Sequence, residues 1–287
     1  MAVRSVQIYA YTDYRAFLRD AYKESKEREG LTLREFAHRA GFSTHTFLSN
    51  VIKGTRSLTI DSAGKMARGL GLKADHKAYL ELMVRFANAT TTNEKNEIYQ
   101  QMVACMPKSE IRHIGSEYYE IFRKAYVLTI RELVALPDFQ PNAKWIARKL
   151  HPHITTAQAE KALKTLISSK LLERDKKGKL AQASADLTTG REVKSLAVAL
   201  YHKQLLELAA ESIDTTSAKD RDISSLTLNL SKSEFDFIKR RTADFRAEIL
   251  DFLKKKREEG GTTFPPEGLR AIYYLNLQFF SATELPW

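Results

Sequence analysis

From Tyr11 onward, apolar positions recur with a helical period that glycine interrupts at short intervals. Tyr14, Phe17, Leu18, Ala21 and Tyr22 stand three and four residues apart, the spacing of one buried helical face. The charged run 23–29 and Gly30 close that helix. Thr32 is placed to cap a helix over Leu33–Ala40, with Glu35 completing a capping box. Gly41 breaks it, Ser43 is placed to cap a second helix over Thr44–Lys53, and Gly54 ends that one. Asp61 is expected to cap a helix through Leu70, stopped by Gly71. Ala74–Phe86 follows, with Tyr79, Leu82, Met83 and Phe86 on one face.

Helix, glycine-containing turn, helix is the order of a helix-turn-helix. On a wheel of about 100° per residue, Phe47, Leu48, Val51 and Ile52 gather on one side of Thr44–Lys53. Thr46, Ser49, Asn50 and Lys53 gather on the other, with Thr44 at the start and His45 at the margin. That second face is short, polar and free of acids, as a helix facing phosphate must be. Asn can bond adenine at two points, and Ser or Thr can reach bases or phosphates. Lys53 and Arg56, at the helix end and in the following turn, suit phosphate contacts that fix orientation.

Residues 91–106 and 114–136 read as two helices, the second bearing the stripe Tyr118, Tyr119, Phe122, Tyr126, Ile130 and Leu133, expected in a core. Pro137 and Pro141 mark a boundary. Beyond it a short helix Lys144–Leu150 stops at His151-Pro152. Thr155 or Thr156 then caps Ala157–Ser168, with Ala159, Ala162, Leu163, Leu166 and Ile167 inward. Gln158, Lys161, Lys164 and Thr165 lie outward, and a strand, a Lys176-Lys177-Gly178 turn and a returning strand follow. Helix, helix, hairpin is the order of a winged helix, and a basic wing tip is a second candidate DNA contact. Glu192–Thr216 reads as a long helix, Leu226–Leu230 as a half-buried strand, a helix opening at Ser231 or Ser233 follows, and Leu269–Phe280 suits a buried strand. Such a strand–helix–strand unit is small for independence and is expected to complete a sheet, across a dimer or otherwise.

Charge sharpens this picture. The 287 residues hold 46 Lys/Arg and 35 Asp/Glu, a net of +11. Residues 1–90 carry 15 Lys/Arg against 9 Asp/Glu and residues 137–183 carry 10 against 4, a surplus of +6 in each block. Residues 91–136 balance at 6 and 6, and residues 184–287 at 15 and 16. Two separated basic blocks suit surfaces facing a polyanion. With 43% apolar residues the chain can pack a core, at about 150 residues per domain two or three times over. One cysteine, Cys105, excludes an internal disulfide and fits a reducing cytoplasm. No membrane span and no export signal are legible.

Residues 31–72 resemble the repressor/Cro-type helix-turn-helix domain through Phe36-Ala37, Gly41-Phe42, Phe47 and Leu70-Gly71-Leu72. They depart from it in a later Gly54 and in Leu48 at a commonly small position. From about residue 11 to 281 the chain resembles a bacterial family assigned to transcriptional regulation, which joins an N-terminal helix-turn-helix to a shared C-terminal region with a winged-helix-like segment. The residues that carry this are Gly54-Thr-Arg56-Ser-Leu58, Tyr79-Leu-Glu-Leu82, Ile130-Arg-Glu-Leu133, Ala162-Leu163, Leu171-Leu172, Arg221-Asp222-Ile-Ser-Ser-Leu226 and the run Ile272–Phe280. Ala125 and Ser281 depart from residues common in that family, tryptophan and proline. The resemblance implies regulation of transcription and names neither target nor effector.

Catalytic constellations are not legible: there is no phosphate-cradling glycine loop and no HExxH. Cys105 is expected to be a buried inert thiol, His151 and His153 lack further ligands, Thr188–Arg191 is too short to define a ligand loop, and Lys239–Arg241 reads as a solvated face. The expected fold is therefore mainly α, α+β overall. Its parts are a helix-turn-helix bundle over 1–90, a helical linker over 91–136, a winged-helix-like domain over 137–190 and a dimerisation or effector domain over 191–287. The expected function is a cytoplasmic, sequence-specific regulator binding double-stranded DNA as a homodimer, without enzymatic activity, cofactor or metal, and open to a small-molecule effector. A protein-interaction adaptor and an RNA-binding protein are the alternatives.

Overall fold

The computed structural model describes residues 6–107, 116–176, 178–183, 191–259 and 270–285. Five helices come first: α1 (Tyr14–Glu29), α2 (Leu33–Ala40), α3 (Phe47–Ile52), α4 (Ile60–Gly69) and α5 (Ala74–Asn88). The apolar face of α1 is the one the spacing implies, with Tyr14, Phe17, Leu18 and Ala21 buried, and α1 ends on Gly30 in the left-handed region. Phe36 and Ala40 of α2, Leu48 and Val51 of α3 and Met66 and Ala67 of α4 close on the same core. Gly69 lets α2 and α4 touch: a Cβ there would stand 2.8 Å from the Ala40 Cβ and from the Phe36 ring. The expected cap at Asp61 is corrected to Thr59, whose hydroxyl accepts the Ser62 N–H at 3.2 Å, leaving Asp61 in the first turn of α4.

The core continues through α6 (Thr92–Ala104). The single helix expected over 114–136 is two, α7 (Ser116–Phe122) and α8 (Ala125–Leu133). No glycine or proline divides them. The stripe splits because its halves meet different neighbours: Tyr119 packs on Tyr99 of α6, whereas Ala125 and Ile130 are buried within α8. Tyr118, Tyr119, Ile130 and Leu133 are core residues, as the stripe implies.

Asn142 caps α9 (Ala143–Lys149) by accepting from the Lys144 and Trp145 N–H groups. Thr155 and Gln158 form a capping box on α10 (Thr156–Ser168). Ile167, expected inward, is 40% exposed because the buried stripe Ala159–Ala162–Leu166 is narrow and Ile167 lies about 80° beyond its edge at Ala159. The hairpin β1 (Leu172–Arg174) and β2 (Leu180–Gln182) pairs antiparallel, Glu173 opposite Ala181. It is the only sheet among the described residues.

The chain divides into two units, one of Met1–Arg131 with Pro141–His202, the other of Glu132–Gln140 with Lys203–Trp287. Helix α11 (Arg191–Thr215) contributes Val193, Leu196 and Ala197 to the core of the first. In the second, α12 (Lys232–Glu259) opens at Ser231, whose hydroxyl and N–H both engage the Glu234 carboxylate. The two expected strands are corrected. Among the described residues 222–230 and 270–280 run extended but form no strand, and Leu226, Leu228 and Leu275 are exposed, not half-buried or buried. A strand needs a neighbour, and the second unit supplies none among the described residues; Leu269 lies outside them. The observed fold is mainly α, as expected.

Candidate nucleic-acid interface

The site is assembled from local rules. The capping box at the start of α2 pairs the Glu35 N–H with the Thr32 hydroxyl at 3.2 Å and the Thr32 N–H with the Glu35 carboxylate at 2.9 Å. Those bonds, from the Thr32 N–H first and its hydroxyl next, hold the Glu35 carboxyl below the usual glutamate range. The far end of α2 closes in a Schellman motif. Gly41 adopts φ +76°, its N–H reaches the His38 carbonyl, and the Phe42 N–H reaches that of Ala37 at 2.9 Å. α3 ends the same way at Gly54 (φ +80°), with the Thr55 N–H on the Asn50 carbonyl at 3.0 Å. That carbonyl also accepts from the Thr55 hydroxyl at 3.0 Å and the Arg56 N–H at 3.3 Å. The turn carrying Arg56 is thereby tied to α3, and Asn88 holds its far side through the Leu58 carbonyl at 3.0 Å.

The helix expected over Thr44–Lys53 is corrected to Phe47–Ile52. Ser43 caps nothing, Thr46 is the N-terminal flanking residue, and Thr44 and His45 lie in the preceding turn. The only backbone bond reaching back from α3 to Thr44 runs from the Phe47 N–H at 3.5 Å. Two β-branched threonines flank His45, so the first turn lacks good helix formers. Phe42 and Phe47 instead stack with centroids 4.5 Å apart and fix how the chain enters α3.

All seven residues expected at this site lie on one continuous stretch. Thr44, His45, Thr46, Lys53 and Arg56 are exposed, and Ser49 and Asn50 are half-buried. Within it, Leu48 and Val51 point inward. Among the described residues nothing bonds the Ser49 hydroxyl or the Asn50 side-chain amide, so both remain available to a ligand. Phe36 to Ile60 contains no Asp or Glu. The periodicity did not single out Lys65. It stands on α4, nine positions beyond Arg56, with its ammonium 5.9 Å from the Phe42 ring, while the Arg56 guanidinium lies 5.8 Å from the Phe47 ring. The stacked phenyl rings thus carry a cation at each end. The inward run Ala63, Met66 and Ala67 on α4 was the signal that could have turned Lys65 outward.

The second set is less uniform. The Gln158 carbonyl is committed to the Thr155 N–H at 2.8 Å, and Lys161 is paired with Glu120 at 3.3 Å. The Thr165 hydroxyl donates to the Lys161 carbonyl. Lys164 and Lys176 are exposed and have no ion pair among the described residues, and Lys177 lies outside them. The hairpin turn is braced by Asp175, which accepts the Lys179 N–H at 2.9 Å, and by Arg174, which donates to the Gly178 carbonyl at 2.8 Å. Cys105, expected to be buried, is exposed, because α6 ends at Ala104 and Cys105 no longer continues the Met102 face. Thr188–Gly190 lie outside the described residues, and of Arg191 only the backbone is described. Among the described residues no cluster of three or more His, Cys, Asp or Glu could hold a metal, and no helix is long and apolar enough to cross a membrane.

Residues 23–76, which span α2–α4 and the acid-free stretch, match the helix-turn-helix family, and that class of domain supports DNA binding and a role in transcription. Residues 105–282 match the domain of unknown function DUF4423. That match spans more than half the chain, which therefore belongs to this family. No curated protein and no solved structure matches the chain.

Proposed function

We propose that this protein is a sequence-specific DNA-binding regulator of transcription that works as a homodimer. The observation that carries this reading is the outward side of α3, where unpartnered Ser49 and Asn50 are followed by exposed Lys53 and Arg56 with no acid from Phe36 to Ile60, and Lys65, paired with Asp61 at 3.9 Å, follows on α4. In this reading α3 enters the major groove. Asn50 and Ser49 meet base edges, Thr44–Thr46 approach the backbone, and Lys53, Arg56 and Lys65 neutralise phosphate. Segment 143–182 acts as a winged-helix-like unit whose Lys164 and Lys176 lie against flanking phosphate. Two copies address half-sites about one helical turn apart or a multiple of it. An effector that favours one spacing of the copies over another shifts affinity without touching the recognition helix. The role is one of binding without catalysis, and it places the chain in the cytoplasm with the DNA.

Selection of bound fragments from a genomic library, followed by anisotropy titrations from about 50 to 200 mM salt, tests the reading. Preferred sequences with affinity falling steeply in salt support it. Equal binding to all duplexes, or preference for single-stranded RNA, overturns it.

A further inference from the structure

Large apolar side chains are distributed unevenly over the protein. Among the described residues 19 of them are exposed, and 17 belong to 203–285. Leu226, Tyr273 and Phe280 are exposed to 85%, 79% and 80%, and Leu250 and Phe252 of α12 to 67% and 59%. At roughly 150–250 Å² for a whole aromatic side chain, this set leaves on the order of 1,500 Å² of apolar surface in water. A stable interface takes about 800 Å² from each partner, less than this total.

The backbone is open in the same places. No backbone hydrogen bond between described residues involves 222–230 or 275–280. Both segments are extended and rich in the residues that favour strands, so each offers a free edge. The contacts that do exist hold the second segment without covering it. The Asn276 amide donates to the Leu205 carbonyl at 3.3 Å, and the Phe279 ring stacks on Phe235 at 4.8 Å.

Charge indicates what covers this surface. The unit, 132–140 with 203–287, holds 13 Lys/Arg against 16 Asp/Glu, a net of −3 that is too small to repel its own copy and of the wrong sign to attract a polyanion. Along α12 the two signs are mixed throughout: 232–245 holds four Lys/Arg against three Asp/Glu and 246–259 five against four, so an antiparallel pair of these helices brings no block of like charge together. An isologous contact needs a patch that tolerates its own copy. We propose that this unit closes on a second copy of the chain. Two α12 helices cross antiparallel through Phe245, Phe252 and Leu253, and the open edges of 222–230 and 275–280 pair between copies into an intermolecular sheet. This deepens the dimeric reading above, and it stands or falls without reference to DNA.

Sedimentation equilibrium of the full chain without DNA tests it, on wild type and on Phe252→Glu and Leu277→Pro. Phe252 is well exposed, so a glutamate there is tolerated by a monomer but buries an unpaired charge in the interface. A proline at 277 removes one edge N–H. The wild type is expected to be dimeric at micromolar concentration, and each variant to raise the dissociation constant at least roughly tenfold with the far-ultraviolet circular dichroism retained. A wild-type monomer at tens of micromolar overturns the proposal, as does a dimer that neither variant weakens. Should Leu277→Pro not fold, hydrogen exchange of the wild type decides the sheet: amides of 275–280 protected only at dimer concentrations support it, and amides exchanging freely at every concentration overturn it. The outcome is distinct from that of the DNA reading, since a monomer that selects sequences leaves recognition by α3 intact.

Discussion

Asn50 lies on α3 and Lys53 caps its end three residues later, yet their chemistry separates their roles. An amide reads one base by two bonds, worth about 1–3 kcal/mol against the wrong base. An ammonium on phosphate reads none. Asn50→Ala is expected to flatten sequence preference while leaving binding to random duplex almost unchanged. Lys53→Ala is expected to weaken all duplexes alike and to lower the salt slope by about one. Competition titrations against specific and scrambled duplexes separate the two; equal behaviour of both variants with wild type would remove α3 from the interface. Gly69 is the matching test of the scaffold. Alanine gains about 1 kcal/mol of helix propensity there, but its Cβ would meet Ala40 and Phe36 at 2.8 Å. Two packed helices cannot give that much, so urea unfolding is expected to show a net loss of about 1–3 kcal/mol. Neither the Gly69 contact nor the placing of Arg56 and Lys65 at the two stacked rings was legible in sequence, because each joins residues of separate elements. The acid-free face of α3 was legible, because it needs only a period and a composition.

Helix ends were read well wherever the cap is a purely local affair. Thr32, Gly41, Gly54 and Thr155 all act as their spacing implies. Ser43 failed because a cap requires a first turn worth capping, and two threonines around a histidine do not supply one. The division of α7 from α8 and the missing strands of the second unit were not legible for another reason: they depend on packing partners distant in sequence, which periodicity does not reveal. Two tests belong to this scale. Lys170 sits in the left-handed region at φ +58°, in the same Schellman arrangement that glycine serves at α2 and α3. A side chain there costs about 1–2 kcal/mol, partly offset by the entropy glycine loses on folding. Lys170→Gly is therefore expected to raise stability by about 0.5–1 kcal/mol in chemical denaturation. The Glu35 box predicts a pH signature. Its carboxyl is held below the usual range when folded, so its contribution is full above the ordinary glutamate value and is lost as pH falls through that value towards the lower folded one. Glu35→Gln keeps a capping partner without a titrating proton, and its unfolding midpoint is expected to fall less than that of wild type between pH 5 and 3, values chosen to bracket the ordinary glutamate value of about 4.3.

At the scale of the whole molecule, charge and apolar surface are sorted between the two units. Both basic surpluses, of +6 each, come from Lys and Arg of the first unit, whereas the second is close to neutral and carries most of the exposed apolar side chains. The first unit therefore has the charge that suits a polyanion, and the second does not. If the second basic block served only solubility, its cations would make no difference to how DNA affinity responds to salt. If it lies on phosphate, each contact releases counterions and adds about 0.9 to the magnitude of the slope of log affinity against log salt. Lys164 and Lys176 are the cations to remove, because both are exposed and neither is held by a carboxylate, unlike Lys161 on Glu120. Lys164→Ala with Lys176→Ala is expected to shallow the slope by about two and to leave the ranking of preferred sequences as it was. An unchanged slope would confine DNA to α3 and its flanking turns.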